Sequence, residues 1–366
     1  MFAADSNPFA EDMPDLDELV EAVQGLPAED AIEEIRDSLK KSGREVSDAD
    51  VLGVLLRVFR TARNNALEGY DPWETPVEYC EHLTKLCDRN FLRNRSPEDG
   101  DSKDLPASVV AAVYAECGRT MLVADELAKA RDMLEKANNV FGVIPTETAT
   151  DRAQAIQRQA AAARASYARV VRRLAGASES LAHYLRALKD FAVLQVHDEL
   201  ADFLSEYCEV LSDVAKQGEE PSPGTLSLLA DIAEEKFGAG SEEHLDVLRH
   251  LADACVDANR TDLAAPALAA RARLLRAMCT PGGGMWAAAE AEAAEEEAAA
   301  ACEAAVPRRL EVEDLDGAAA AWEEALHFRE AVQGTDSQLV CEMRATLTAL
   351  RMAIVARGAQ AARSDD

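Results

Sequence analysis

Apolar residues recur along most of this chain at the three- and four-residue spacing of an amphipathic helix, and convincing runs of alternating β-branched residues are absent. Ser47 precedes an apolar stripe that begins with Val51 and Leu55, which is the arrangement of a cap residue before a helix. Cys80 and Leu83 continue the same spacing in the next helical segment. The pattern predicts an all-α fold.

From Pro106 onward the predicted helices come in pairs, and glycine or proline marks the joins, among them Gly176, Gly238, Pro307 and Gly334. We expect helices at 107–122, 124–141, 151–174, 178–195, 197–216, 225–237, 242–258, 262–278, 286–304, 315–332 and 336–358. The chain is therefore predicted to have a flexible acidic tail over 1–14, a helical region over 15–93, a linker over 94–105, helical repeats over 106–358 and a flexible tail over 359–366.

One segment shows the pairing most clearly, a helix, a polar turn and a second helix between Leu251 and Leu268. Leu251-Ala252 lie in the first helix, Asn259 in the turn, and Ala264 and Leu268 in the second helix. Similar sets of small and large residues occur at Gly118, Ala130, Leu134 and Ala137, at Tyr184, Ala187 and Leu188, and at Ala318, Trp322 and Ala325. The pairs resemble tetratricopeptide repeats, most closely the longer repeats of kinesin light chains, over about 106–358, although Arg271 stands where that pattern has an alanine.

The resemblance implies an α-solenoid, a right-handed superhelix of antiparallel helix pairs, with a helical N-terminal region. A concave groove of such a stack binds a peptide or a helix of another protein. The implied function is a non-enzymatic interaction scaffold or adaptor within a larger assembly, of a cargo-carrying, cytoskeletal or ciliary kind. A helical bundle without true repeats is the alternative fold.

Charge and cysteine content limit the expected ligands and the expected cellular location of the protein. The 366 residues carry a net charge of −30, which argues against direct nucleic-acid binding and against an anionic membrane surface. No apolar run is long enough to insert into a membrane, and the start of the chain lacks the pattern of a secretory signal. The eight cysteines are scattered singly, as reduced core residues are. We expect a cytoplasmic protein, associated with cytoskeleton or cilium if the resemblance extends that far.

The segment 286–305 contains six glutamates and no basic residue. Its alanine- and glutamate-rich composition predicts a solvated helix that serves as a spacer or insertion. The alternative is an acidic arm, which together with the acids of 1–34 would make the protein a chaperone for a basic client such as histones.

Basic residues concentrate in one predicted helix, at Arg152, Arg158, Arg164, Arg169, Arg172 and Arg173, and no acid lies between Asp151 and Glu179. They either pair with neighbouring acidic helices or form a docking face for an acidic partner. Asn259, Arg260 and Arg271 are the groove residues that we expect to contact a partner.

Asn7-Pro8-Phe9 resembles the short ligand of endocytic EH domains, although three residues match often by chance. No catalytic, cofactor-binding or metal-binding pattern emerges. Cys80 and Cys87 lie about two helical turns apart, too far to share one ion, and the histidines form no ligand-spaced pair. An all-α enzyme with a site invisible in the sequence is the remaining alternative.

Overall fold

The computed structural model describes residues 16–41, 46–93, 105–144, 150–194, 197–219, 222–279 and 285–364. Within these ranges the chain is helical and contains no strand, which confirms the all-α prediction. The helices are α1 (Leu16–Val23), α2 (Ala28–Lys41), α3 (Asp48–Leu67), α4 (Glu74–Arg93), α5 (Ala107–Val123), α6 (Leu127–Phe141), α7 (Asp151–Ala175), α8 (Ala177–Val193), α9 (His197–Lys216), α10 (Pro223–Phe237), α11 (Glu242–Asp257), α12 (Thr261–Met278), α13 (Met285–Glu311), α14 (Leu315–Gln333) and α15 (Gln338–Ser364).

Local signals in the sequence account for many of the helix ends. Ser47 forms a capping box at the start of α3, since its Oγ accepts from the backbone N–H of Asp50 at 3.1 Å while its own N–H donates to the Asp50 carboxylate. Glycine ends α7, α10 and α14 as predicted. The prediction that Pro307 breaks a helix is wrong, because α13 continues through it to Glu311. Packing of α13 against α12 and α14 offsets the one backbone hydrogen bond that a proline removes.

The chain divides into two compact units, Met1–Asp190 and Phe191–Asp366. In the first unit, α3 packs on α4, α4 on α5, α5 on α6 and α6 on α7. One cluster of buried side chains runs from Val23 to Val170 and includes residues from both sides of the segment 94–105. Large aliphatic and aromatic residues such as Phe59 and Leu134 fill this core. The domain boundaries predicted from the sequence stay predictions, since residues 1–15 and 94–104 lie outside the described ranges.

In the second unit each helix from α10 to α15 packs against the one before it, and α9 also contacts α11. Four of the nine buried residues in the cluster of α12 to α15 are alanines, and Leu326, Met343 and Leu347 are among its larger members. Small residues of this kind let helix axes approach closely. Neighbour-on-neighbour packing of helix pairs is the arrangement of an α-solenoid, and the fold is tetratricopeptide-like.

The positions that carry the repeat resemblance are core positions. Ala264, Leu268, Ala318 and Ala325 are buried in the second unit. In the first unit, Gly118 lies so close to the Leu134 side chain that a Cβ at 118 would collide with it. The remaining matched residues of the first unit are also buried: Ala130, Leu134, Ala137, Tyr184, Ala187 and Leu188. The small residues therefore stand where helices meet most closely.

Three turns between paired helices share one backbone geometry. Asp125, Asn259 and Glu313 have φ values of 66°, 55° and 59° and connect α5 to α6, α11 to α12 and α13 to α14. In each turn the N–H of the next residue donates, at 2.8 Å, to the carbonyl five residues earlier. This is a left-handed helix termination, in which that bond satisfies a carbonyl that the helix end would otherwise leave unpaired.

An arginine from a later helix binds each of these turn residues. Arg173 donates to the Asp125 carboxylate, Arg308 to the Asn259 carbonyl at 2.6 Å, and Arg357 to the Glu313 carboxylate at 2.9 Å. The separations along the chain are 48, 49 and 44 residues. We call these three contacts the turn–arginine contacts. The separation between turn and arginine is nearly the same in all three contacts, so the structural repeat extends to polar detail as well as to the core.

Candidate protein-binding site

The arginines of α7 do not form one stripe. At 3.6 residues per turn, Arg152, Arg158 and Arg164 point in directions separated by about 120° around the helix. Arg164 donates to Asp190 at 2.5 Å, and Arg173 donates to the Leu122 carbonyl at 3.2 Å and to Asp125. Intramolecular pairing therefore accounts for Arg164 and Arg173.

The other α7 arginines differ in exposure. Arg152 and Arg158 are exposed, whereas Arg169 and Arg172 are half-buried. An exposed arginine on a strongly acidic protein can bind an acidic partner without breaking an internal contact. Arg152 and Arg158 are therefore the α7 residues that remain suited to docking.

Arg271 of α12 lies away from the other two predicted groove residues. Its half-buried guanidinium forms salt bridges with Glu290 at 3.5 Å and Glu297 at 3.9 Å, both on α13. The pattern of tetratricopeptide repeats has an alanine at this position, so the arginine reaches past the helix contact to the acidic face of α13. Arg271 joins α12 to α13 in this structure.

The acidic segment 286–305 lies within α13, which packs between α12 and α14. Alanines on one face of it are buried, among them Ala291, Ala298 and Ala305. Five of its six glutamates form salt bridges with arginines of the two neighbouring helices, namely Glu290 and Glu297 with Arg271, Glu295 with Arg276, and Glu296 and Glu303 with Arg329. The hydrogen bond to Glu295 raises the pKa of Arg276, and that to Glu303 raises the pKa of Arg329. The acidic residues of this segment thus contribute to helix packing.

Arg260, which follows Asn259 in the α11–α12 turn, lines a cavity of about 400 Å³. Arg260 binds the Asp262 carboxylate with both Nε, at 2.9 Å, and Nη2, at 2.8 Å. Hydrogen bonding to Arg260 holds the pKa of Asp262 below its usual value. Asp262 therefore stays ionised and fixes the Arg260 guanidinium in place.

The other wall of the cavity comes from the end of α13 and the turn that follows it. Arg308 lies 3.6 Å from Asp262 and donates to the Asn259 carbonyl, which is the turn–arginine contact of the α11–α12 turn. Arg309 donates to Asp314 at 3.1 Å, and Asp314 caps α14 by accepting from the Gly317 N–H. The Nε of Arg309 is buried and has no hydrogen-bond partner within the described part of the chain.

Three guanidinium groups and two carboxylates thus line one cavity, which we call the arginine cavity: Arg260, Asp262, Arg308, Arg309, Val312 and Asp314. Its formal charge is +1, in a chain whose net charge is −30. Of these three arginines, only Arg260 is predicted from the sequence as a partner-binding residue. The available signal was the 49-residue separation between Asn259 and Arg308, which becomes meaningful only once the other turn–arginine contacts are known.

Several sequence expectations concern chemistry rather than docking. Across the described residues, no cluster of three or more histidine, cysteine or acidic side chains has metal-binding geometry, and no helix has the length and apolar character needed to cross a membrane. All eight cysteines are free, and six are buried, whereas Cys279 is half-buried and Cys341 exposed. Asn7, Pro8 and Phe9 lie outside the described residues.

No protein family model matches the sequence, and no curated protein matches it. Among solved structures, the chain is similar to BtubC (BKLC) from P. vanneervenii, at 11% identity and a TM-score of 0.34 over 88% of this chain and 94% of that one. It is similar to the apo form of the quorum sensor NprR from B. thuringiensis, at 13% identity and a TM-score of 0.34, over 92% of this chain and 86% of that one. It is also similar to the Cut9–Hcn1 hetero-tetramer of the APC/C, at 13% identity and a TM-score of 0.25, over 92% of this chain and 55% of that one. With scores this low, the fold assignment depends on the helices and contacts of this chain alone.

Proposed function

We propose that this protein is a non-enzymatic interaction scaffold, which holds partner proteins within a larger assembly of a cytoskeletal or ciliary kind. The observation that carries the proposal is the arginine cavity, a basic site on a strongly acidic chain. Two helix-pair turns of equivalent geometry bring its arginines together. Stacked helix pairs commonly present binding surfaces to other proteins.

Two surfaces are assigned to docking in this proposal. The arginine cavity is the first, and helix α7 is the second, where the exposed Arg152 and Arg158 point about 120° apart and act as separate contacts. Guanidinium groups bind carboxylates through paired N–H donors, so both surfaces suit acidic segments of partners. Most of this acidic protein repels an acidic segment of a partner, so such a segment is expected to bind where arginine side chains are exposed.

Proximity labelling in cells, followed by co-purification of the labelled proteins, tests the proposal. We expect the double variant R308E/R309E to lose partners that the wild type retains, because charge reversal repels their carboxylates. The matched control is R249E/R351E, which makes the same change of charge at exposed arginines of the same unit. A third variant, R152E/R158E, reports on α7. Partner lists that are the same for the wild type and all three variants would contradict the assignment of both surfaces.

The alternative, an acidic chaperone for a basic client such as histones, has less support. The segment 286–305 would supply its acidic arm, yet five of its six glutamates already pair with Arg271, Arg276 and Arg329. A client would have to displace these contacts to bind. Binding of purified histones to the wild type at low salt, abolished by charge-neutral replacement of this segment, would favour the chaperone over the scaffold.

A further inference from the structure

We propose that the arginine cavity holds a single carboxylate, contributed by a glutamate or aspartate side chain of a partner protein. The inference rests on the proposed scaffold function and adds the chemistry of the ligand. The site lies at the edge formed by the α11–α12 and α13–α14 turns, and most of its polar groups come from these turns and the last residues of α13.

The donors of the cavity are held in position before a ligand arrives. Asp262 binds Arg260 through both nitrogens, and the Asn259 carbonyl and Asp262 hold Arg308. Side chains that are already ordered lose little further conformational entropy on binding. The preorganised guanidinium groups therefore favour an anion of defined geometry over a diffuse acidic surface.

Arg309 supplies the clearest indication of a missing acceptor. Its Nε is buried and has no partner among the described residues, although one Nη donates to Asp314. A buried unsatisfied donor is costly, and a charged one more so. A carboxylate that binds the guanidinium side-on, after a small rotation of Arg309, accepts from Nε and removes this cost.

The charge of the site selects a carboxylate over a phosphate. Three arginines and two aspartates give +1, which one carboxylate neutralises. A phosphate group carries between one and two negative charges at neutral pH, and it would leave excess negative charge beside Asp262 and Asp314. The exposed side chain of Val312 at the rim adds an apolar contact for the methylene groups of a glutamate.

Gly317 shows how closely this wall is packed. A Cβ at 317 would collide with the Asp314 carboxylate and with Nη1 of Arg309. Its φ lies outside the left-handed region, and it occupies the first turn of a helix, where alanine is otherwise tolerated. Gly317→Ala should therefore displace Arg309, together with the capping carboxylate of Asp314, without changing any charge.

The test follows the Arg309 Nε–Hε resonance of the full chain by NMR during titration with three probes. They are N-acetyl-glutamate methylamide, its glutamine analogue and inorganic phosphate. We expect a saturable shift with the glutamate probe, and binding about tenfold weaker or worse for the other two, since each leaves charge or donors unmatched. In the G317A variant the glutamate probe should bind at least about tenfold more weakly. The matched control is G224A, a glycine in the first turn of α10 where a Cβ meets only an ordinary contact.

Equal shifts from the glutamate and glutamine probes, or tighter binding of phosphate, would overturn the carboxylate assignment. Unchanged binding in G317A with intact far-ultraviolet circular dichroism would overturn the role of Arg309. The scaffold proposal fails separately. If R308E/R309E loses its cellular partners but no carboxylate probe binds, the scaffold proposal stands and the carboxylate inference is wrong. If the glutamate probe binds but R308E/R309E keeps its cellular partners, the cavity is a carboxylate site that serves no partner.

Discussion

The core of residues 23–170 and the packing of α12 to α15 hold neighbouring helices together by different means. In the first, large side chains such as Phe59, Tyr114 and Leu134 fill the space between helices. In the second, alanines line the contacts, and arginine–glutamate pairs such as Arg276–Glu295 and Arg329–Glu303 surround them. Alanine buries little apolar area, so less of the hydrophobic effect is available there.

The two regions depend on different interactions for their stability. A core of large residues is stabilised mainly by burial, which responds weakly to salt and pH. Helices joined by small residues approach closely, and their remaining stabilisation comes from packing contacts and from partly buried ion pairs. Removing one group of each kind tests whether the two regions differ in this way.

A substitution in the first region should destabilise the protein most. Phe59→Ala should lower the free energy of unfolding by about 3–5 kcal/mol, because Phe59 is fully buried and its removal leaves a cavity. Urea denaturation followed by circular dichroism measures the change, and hydrogen exchange localises it to α3 and its neighbours. Leu67→Ala in the same helix is the control, since Leu67 is 60% exposed and should lose less than about 0.5 kcal/mol. Similar losses for the two variants would show that this core is not the main source of stability.

In the second region, Arg276→Ala should cost about 2 kcal/mol, because it leaves the carboxylate of Glu295, whose residue is only 3% exposed, without its partner. Hydrogen exchange of α12 and α13 measures the loss. Arg351→Ala provides the matched control, since it removes an equal charge from a pair with both members exposed and should cost less than about 0.5 kcal/mol. A result in which both variants lose the same amount would remove the distinction between the two regions.

The smallest effect concerns pH. Asp262→Asn should cost about 1–2 kcal/mol at neutral pH, because the charged hydrogen bonds from Arg260 are lost. The pKa of Asp262 is lowered in the folded protein, so its contribution is present above the unfolded-state value and disappears as the pH falls through the folded-state value. Urea denaturation from pH 7 to below pH 3 should therefore show the wild type and the variant converging in acid. Asp246→Asn, which alters an exposed pair, is the control, and a gap that stays constant down to the lowest pH would contradict the assignment.

The sequence allowed the helices to be predicted well because their signals are local. Ser47, Gly176 and Gly238 act on the backbone within a few residues, and apolar spacing identifies the buried faces. Pro307 was misjudged because the contacts that hold α13 together across it come from α12 and α14, which are distant in sequence.

The candidate site was less predictable, since charge in a sequence does not reveal its partner. Arg164 and Arg271 were plausible docking residues until their acids, Asp190 and the glutamates of α13, were found within reach. Arg309 had no distinguishing signal, because its importance depends on a turn that brings it beside Gly317. Helical geometry alone, in contrast, already separates Arg152, Arg158 and Arg164 around α7.

The turn–arginine contacts set a minimum size for any piece cut from this chain. Each one connects a turn to an arginine 44 to 49 residues later, a distance that always includes the second helix of the pair and reaches into a third. A fragment of two helices keeps its turn but loses the arginine that binds it. An engineer who wishes to shorten, duplicate or transplant these modules should therefore work in segments of three consecutive helices, such as Ala107–Ala175.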